Sequence, residues 1–142
     1  MSRIAIACPE VGLWVDLALK DTDQVDALTV LSEALWNALV TSGATHVAIE
    51  QPIVGASLNL RVGVSMGMVA GALCITARQA GATVYLPPPA TWKKAVTGRG
   101  NASKQEVDGW LSVHHPDWHT QCSTQDTIDA TCLSLYAQGL LA

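Results

Sequence analysis

The sequence predicts an α/β protein, a mixed sheet flanked by helices. Three observations carry this expectation. Short apolar runs bounded by Gly or Pro recur along the 142 residues, at Arg3–Cys8, Gly12–Leu19, Thr45–Gln51 and Ala82–Leu86. Longer stretches among them repeat their apolar residues every three or four positions. Hydrophobic residues make up 49% of the chain and charged residues 14%. That balance excludes a disordered chain and is consistent with a single domain over residues 1–142.

Arg3-Ile4-Ala5-Ile6-Ala7-Cys8 reads as the first strand, stopped by Pro9, which cannot donate to a ladder. Gly12 to Leu19 alternates and reads as a second strand, antiparallel to the first after a tight turn. Lys20-Asp21-Thr22-Asp23 is polar and suits a helix cap. Val25, Leu28, Leu31, Leu35 and Leu39 then keep helical spacing, with Trp36 at the edge of the face, and Gly43 closes the helix. Thr45 to Gln51 is a strand that ends on the carboxylate of Glu50, with Pro52 stopping its ladder.

Gly55-Ala56-Ser57 opens a loop into a helix over about Leu58 to Ala80. Gly63, Gly67 and Gly71 recur on one face of it, at a cost of about 1 kcal/mol each relative to Ala. That face is therefore expected to meet another element closely, the core in preference to a second subunit. Ala82–Leu86 is a strand, and Pro87-Pro88-Pro89 is expected to hold extended, non-helical backbone. Ser103 to His114 reads as a helix and His114 to Ser123 as an irregular loop. A last helix starts near Thr124-Gln125-Asp126, with Ile128, Cys132, Leu133 and Tyr136 facing inward.

The four cysteines are scattered with no CxxC, and Cys74 and Cys132 fall in apolar helical patterns as core thiols. The formal charge of −4 argues mildly against general nucleic-acid binding, but the basic residues are not evenly spread. The most apolar stretch, Val62 to Ala77, is studded with Gly and bounded by Arg61 and Arg78, and is read as too short to span a bilayer. Ile4 to Cys8 is too short for a signal peptide. A cytoplasmic protein with no membrane partner is the expectation.

Glu50 stands at the C-terminal end of a buried strand, the edge at which open α/β sheets bind ligands. A buried carboxylate there needs compensation. Asp126 and Asp129 are three residues apart, on one face at the start of the last helix. Such a pair favours the helix dipole whatever else it does. Together the three acids make an all-oxygen set of the kind that Mg²⁺ or Mn²⁺ prefers. Lys93, Lys94, Arg99 and Lys104, with Gly98 and Gly100 among them, offer cations and open backbone N–H groups to phosphate. His114, His115, His119 and Cys122 lie close in sequence, but their spacing matches no common zinc finger. His46 reads as structural, and Trp92 and Trp118 as packing residues.

Three stretches carry a family resemblance. Ala48-Ile49-Glu50-Gln51, the segment from Trp92 through Lys93, Lys94, Gly98, Arg99 and Gly100 to Lys104, and Asp126-Thr127-Ile128-Asp129-Ala130 resemble, in order, the motifs of RuvC-type Holliday junction resolvases in the RNase H-like nuclease superfamily. The resemblance covers roughly Thr45 to Tyr136. It implies a homodimeric, Mg²⁺-dependent endonuclease (Mn²⁺ also serving) that cuts branched DNA at a four-way junction. Glu50, Asp126 and Asp129 would hold two Mg²⁺ ions, Lys104 would join them in catalysis, and Lys93, Lys94, Arg99 and Lys104 would bind DNA. The resemblance implies an RNase H-like mixed sheet with a shortened N-terminal strand region, and the N-terminal third departs from the pattern in a second way, because Cys8 stands where the family's first strand ends in a metal-binding Asp. Three expectations follow. Glu10 or Asp16 substitutes for that acid; the site works with three carboxylates; or the chain binds branched DNA, or a protein partner, without efficient cutting.

Overall fold

Alternating apolar residues fold the start of the chain into a hairpin. β1 (Ser2–Cys8) and β2 (Leu13–Leu19) pair antiparallel, with Ala5 opposite Asp16 and Ile6 opposite Val15. The turn between them is a single 3₁₀ turn, Pro9–Val11, closed by Gly12 at φ 69°. In this computed structural model residues 2–53 and 59–141 are described.

α1 (Gln24–Ser42) starts at Asp23, whose carboxylate accepts from the N–H groups of Val25 and Asp26, and it ends at Gly43 in the left-handed region. Leu31, Leu35 and Leu39 on its inner face are buried. Val25 and Trp36, expected on or beside that face, are exposed. β3 (His46–Ala48) pairs in parallel with β4 (Thr83–Tyr85), and α2 (Leu60–Gln79) connects them. The helix starts on the Asn59 side chain, which accepts from the Arg61 N–H. The loop expected at Gly55-Ala56-Ser57 lies outside the described residues.

The mixed pairing expected of the sheet is present, divided among the described residues between two ladders of two strands, β1–β2 and β3–β4. Side chains join them. Ile4 of β1, Leu35 of α1, Ile49 beyond β3, and Leu73 and Ala77 of α2 share one apolar core. A second core lies on the other side of β3, where Trp92, Val107, Leu111, Ile128 and Cys132 pack together. Val47 and Ile49 face the first core and Ala48 the second, as the two-residue period of a strand requires.

Two helices were not expected from the sequence. Pro89 does not extend the non-helical run; it is the first residue of α3 (Pro89–Thr97), where its fixed φ suits a first turn whose N–H needs no partner. Pro116 acts likewise, turning part of the expected His114–Ser123 loop into α5 (Pro116–Gln121). Between them lies α4 (Lys104–His114), capped by Ser103, and α6 (Gln125–Leu141) ends the described chain.

The glycine face of α2 corrects a further expectation. Gly63 is buried, but a Cβ added at Gly67 or Gly71 would meet nothing within 4 Å. Only one end of that face is packed closely. At 20 residues α2 is also long and apolar enough, by length and composition alone, to cross a membrane, contrary to the expectation that no stretch reaches that length. It packs against α1 and β4 and leaves Leu60, Val64, Met68 and Ile75 exposed.

Candidate active site

Glu50 is positioned by the ladder beneath it. The parallel pairing continues past β3, because the N–H groups of Ile49 and Gln51 donate to the carbonyls of Tyr85 and Pro87, each at 2.9 Å. Glu50 lies between these two bonds. Its side chain falls on the side of Ala48, toward the second core, and meets the indole of fully buried Trp92, whose Nε1–H donates to Glu50 Oε2 at 2.8 Å. Trp92 thus packs as expected and also orients the carboxylate.

Asp126 and Asp129 come from the first turns of α6. Thr124 and Thr127 fix that end by reciprocal bonding: the Thr124 N–H donates to Thr127 Oγ1 at 3.0 Å and the Thr127 N–H to Thr124 Oγ1 at 3.3 Å. This is the geometry of a capping box with a hydroxyl in place of the usual Glu. Farther along, Thr131 Oγ1 accepts from the indole of Trp14 at 3.0 Å and pins β2 to α6. Asp129 is half-buried and accepts from the Gln125 amide at 3.1 Å.

Glu50, Asp126 and Asp129 line one open cleft of about 660 Å³, bounded also by Arg3, Cys8 and Glu10. Burial pushes the Asp129 carboxyl up; the Gln125 hydrogen bond and Lys93 oppose the rise, and the charges of Glu50 and Asp126 add to it. Among the described residues no three His, Cys, Asp or Glu side chains stand close enough together, as placed, to hold an ion. Each of the three acids already has a partner: Trp92 for Glu50, Gln125 for Asp129, and Arg3 for Asp126.

Arg3 is the residue that sequence reasoning did not single out. Its Nε lies 2.9 Å from Asp126 Oδ2, and its guanidinium also grips Asp16 through Nε at 3.1 Å and Nη2 at 2.8 Å. Asp16, gripped by Arg3, does not line the cleft, whereas Glu10 does and accepts from Cys8 Sγ at 3.6 Å. Burial and the Glu10 carboxylate push the Cys8 thiol up, so Cys8 remains a neutral thiol. The one signal for Arg3 was a cation inside an apolar strand, two rungs from an acid on the facing strand.

The basic residues are spread over α3, the loop after it and the start of α4. Lys93 is near enough for its charge to act on Asp129. Lys94 and Lys104 are exposed, and Arg99 pairs with Glu106 at 3.3 Å. None of the four lines the cleft. The histidines and Cys122 have other partners: His114 stacks on Trp110, His115 on Trp118, His119 pairs with Asp108, and Cys122 Sγ lies 3.4 Å from Thr131 Oγ1. His46 Nδ1 lies 3.2 Å from the Tyr85 hydroxyl.

With this geometry in place, the family profile described as crossover junction endodeoxyribonuclease RuvC matches residues 12–135. The chain belongs to the RuvC family. Among RuvC relatives, that of Heliobacterium modesticaldum is 30% identical over 92 residues, covering 65% of this chain and 56% of the relative. That of Salinibacter ruber is 28% identical over 120 residues, covering 84% of this chain and 65% of the relative. The match thus spans less than two thirds of either relative. Thermus thermophilus RuvC superposes with a TM-score of 0.66 at 21% identity, covering 87% of this chain and 72% of that one. The same protein in complex with Holliday junction substrate gives 0.66 at 16% identity, covering 88% and 74%. The fold is that of RuvC, an RNase H-like α/β architecture rich in helices.

Proposed function

We propose that this chain is a structure-selective, metal-dependent DNA endonuclease that resolves four-way junctions by phosphodiester hydrolysis. The observation that carries the reading is the meeting of Glu50, Asp126 and Asp129 in one cleft of a RuvC-family chain. The donors are all carboxylate oxygens, and the half-buried Asp129 feels repulsion from both neighbours. A hard divalent cation relieves such repulsion, so the donors fit the ion in their chemistry and have to draw together to hold it. Glu50, Asp126 and Asp129 would hold Mg²⁺, or Mn²⁺ in its place. Such an ion, when bound, supplies an activated water and neutralises charge building on the phosphate.

The chain's own residues do the rest. Trp92 holds one oxygen of Glu50, which lines the cleft. Gln125 fixes Asp129. Lys93 attracts the scissile phosphate toward the carboxylates, while Lys94, Arg99 and Lys104 steer the flanking backbone. Lys104 is proposed as a catalytic cation as well, from its place at the first turn of α4. Recognition would rest on branched shape more than on base edges. The solved relative bound to Holliday junction substrate supports that choice of DNA. A homodimer is supported by the exposed stripe Leu60, Val64, Met68 and Ile75, which runs along one side of α2.

The test is a synthetic four-way junction incubated with the protein in Mg²⁺ or Mn²⁺. The wild type cuts, and Glu50→Gln or Asp129→Asn slows cutting roughly 100-fold or more, the scale of losing one charge-stabilising group. Variants that cut as fast as the wild type would show that the site is wrongly assigned. A second reading, a protein that binds branched DNA without cutting, is favoured by the neutral Cys8 thiol. A gel shift on the junction without cleavage in either metal selects it, and a gain of cutting in Cys8→Asp would identify the missing acid as the reason.

A further inference from the structure

The resemblance implies two divalent ions on three carboxylates, and in this chain one of the three, Asp126, is already paired at the protein surface with a cation of the chain itself. Arg3 lies with its Nε 2.9 Å from Asp126 Oδ2. It reaches there from β1, the strand whose other end carries Cys8. The hairpin register explains its aim. Ala5 sits opposite Asp16 and Arg3 opposite Ala18, so Arg3 and Asp16 are diagonal neighbours on one face of the ladder. Asp16 accepts both Nε and Nη2 of Arg3. Such a fork fixes the plane of the guanidinium and its direction. Asp16 stays outside the cleft, so it can keep its hold on Arg3 whatever enters the cleft.

We propose that Arg3 takes the place of one metal ion: its guanidinium is the resident cation at Asp126, and the cleft accepts a single divalent ion, centred on Glu50 and Asp129. The inference rests on the endonuclease reading of the cleft and refines it. Exposed ion pairs are individually weak, about 0–1 kcal/mol, but Arg3 is held by acids from two elements at once. Arg3 and Lys93 already answer much of the negative charge of the three acids. A second ion has to displace Arg3 or share Asp126 with it. The change from the family pattern is then coherent across β1. An expected acid is replaced by a neutral thiol at Cys8, and a fixed positive charge is supplied from the other end of the strand.

Titration of the DNA-free protein with Mn²⁺, followed by calorimetry and by the paramagnetic signal of free Mn²⁺, tests this without reference to cutting. The wild type binds about one Mn²⁺ per chain, and Asp129→Asn removes it. Arg3→Gln binds about two, or binds the first at least about tenfold more tightly, while Arg3→Lys keeps the wild-type number. Asp16→Asn, which loosens Arg3 from outside the cleft, shifts affinity in the same direction as Arg3→Gln and guards against misfolding of that variant. Equal number and affinity in the wild type, Arg3→Gln and Asp16→Asn would overturn the assignment of Arg3 alone. Two ions on the wild type would do the same. Absence of Mn²⁺ binding in every form would overturn both this assignment and the metal-site reading beneath it.

Discussion

Trp92 joins the second core to the site through one atom, its indole N–H on Glu50. Trp92→Phe keeps most of the packing and removes that donor, leaving a half-buried carboxylate oxygen short of a partner. A hydrogen bond to a charged group contributes about 1.5–3 kcal/mol, so the urea midpoint falls and junction cleavage in single turnover drops by roughly tenfold. Asp129 makes the opposite prediction for stability. Its carboxyl is raised, first by burial, so the folded state binds its proton more tightly than the unfolded chain does. Its contribution is most favourable below the ordinary carboxyl range and declines as pH rises through that range to the folded value, where a constant penalty remains. Asp129→Asn is therefore expected to melt higher than the wild type at neutral pH in metal-free buffer, on the order of a few degrees, while losing Mn²⁺ binding. Scanning calorimetry across the acid range checks both parts. At this scale the positions of Glu50 at a strand end and of Asp126 and Asp129 at a helix start could be read from the sequence, because an acid after an apolar run and acids at a helix start have a local signature; that they belong together came from the family resemblance. Arg3 could not, since its role depends on which residue of β2 faces which residue of β1, and that register was set by a turn of unknown length.

At the scale of elements, the turn after α3 decides where the basic segment points. Gly98 ends the helix at φ 87°, a conformation that costs a residue with a side chain roughly 1–2 kcal/mol. Gly98→Ala is expected to lose about that much stability in urea denaturation and to weaken junction binding, because Lys93 and Lys104 lie on either side of the turn. Gly100 is constrained differently: a Cβ there would stand 3.1 Å from the Ala90 carbonyl oxygen, so the loop packs back on the start of α3. The strands and the long helices α1 and α6 were legible from periodicity and caps. α3 and α5 were not, because proline is both a helix breaker and a favoured first residue, and only the packing of Trp92 shows which applies to α3.

At the scale of the molecule, the exposed stripe on α2 makes a prediction about assembly. Val64→Lys combined with Met68→Lys is expected to turn a dimer into a monomer in sedimentation velocity, with the fold intact by circular dichroism. A wild type that stays monomeric across the concentration range would remove the dimer from the proposal. The fold class was legible because hydrophobic spacing reports on it directly. The division of the sheet was not, because strand pairing between distant segments leaves no local pattern.

That division has a mechanical consequence. In the parallel ladder Ile49 and Gln51 turn their N–H groups toward β4, so the N–H of Glu50 points away from it, and β1 and β3 are not paired with one another. The amide of Glu50 should then exchange its hydrogen faster than those on either side of it. Arg3 and Glu50 stand on opposite halves joined through α6 and the packed cores rather than by rungs of a common sheet. Side chains can slide where a ladder would have to break. A change in the spacing across the cleft would therefore shift side-chain packing and leave the hydrogen bonds of both ladders in place.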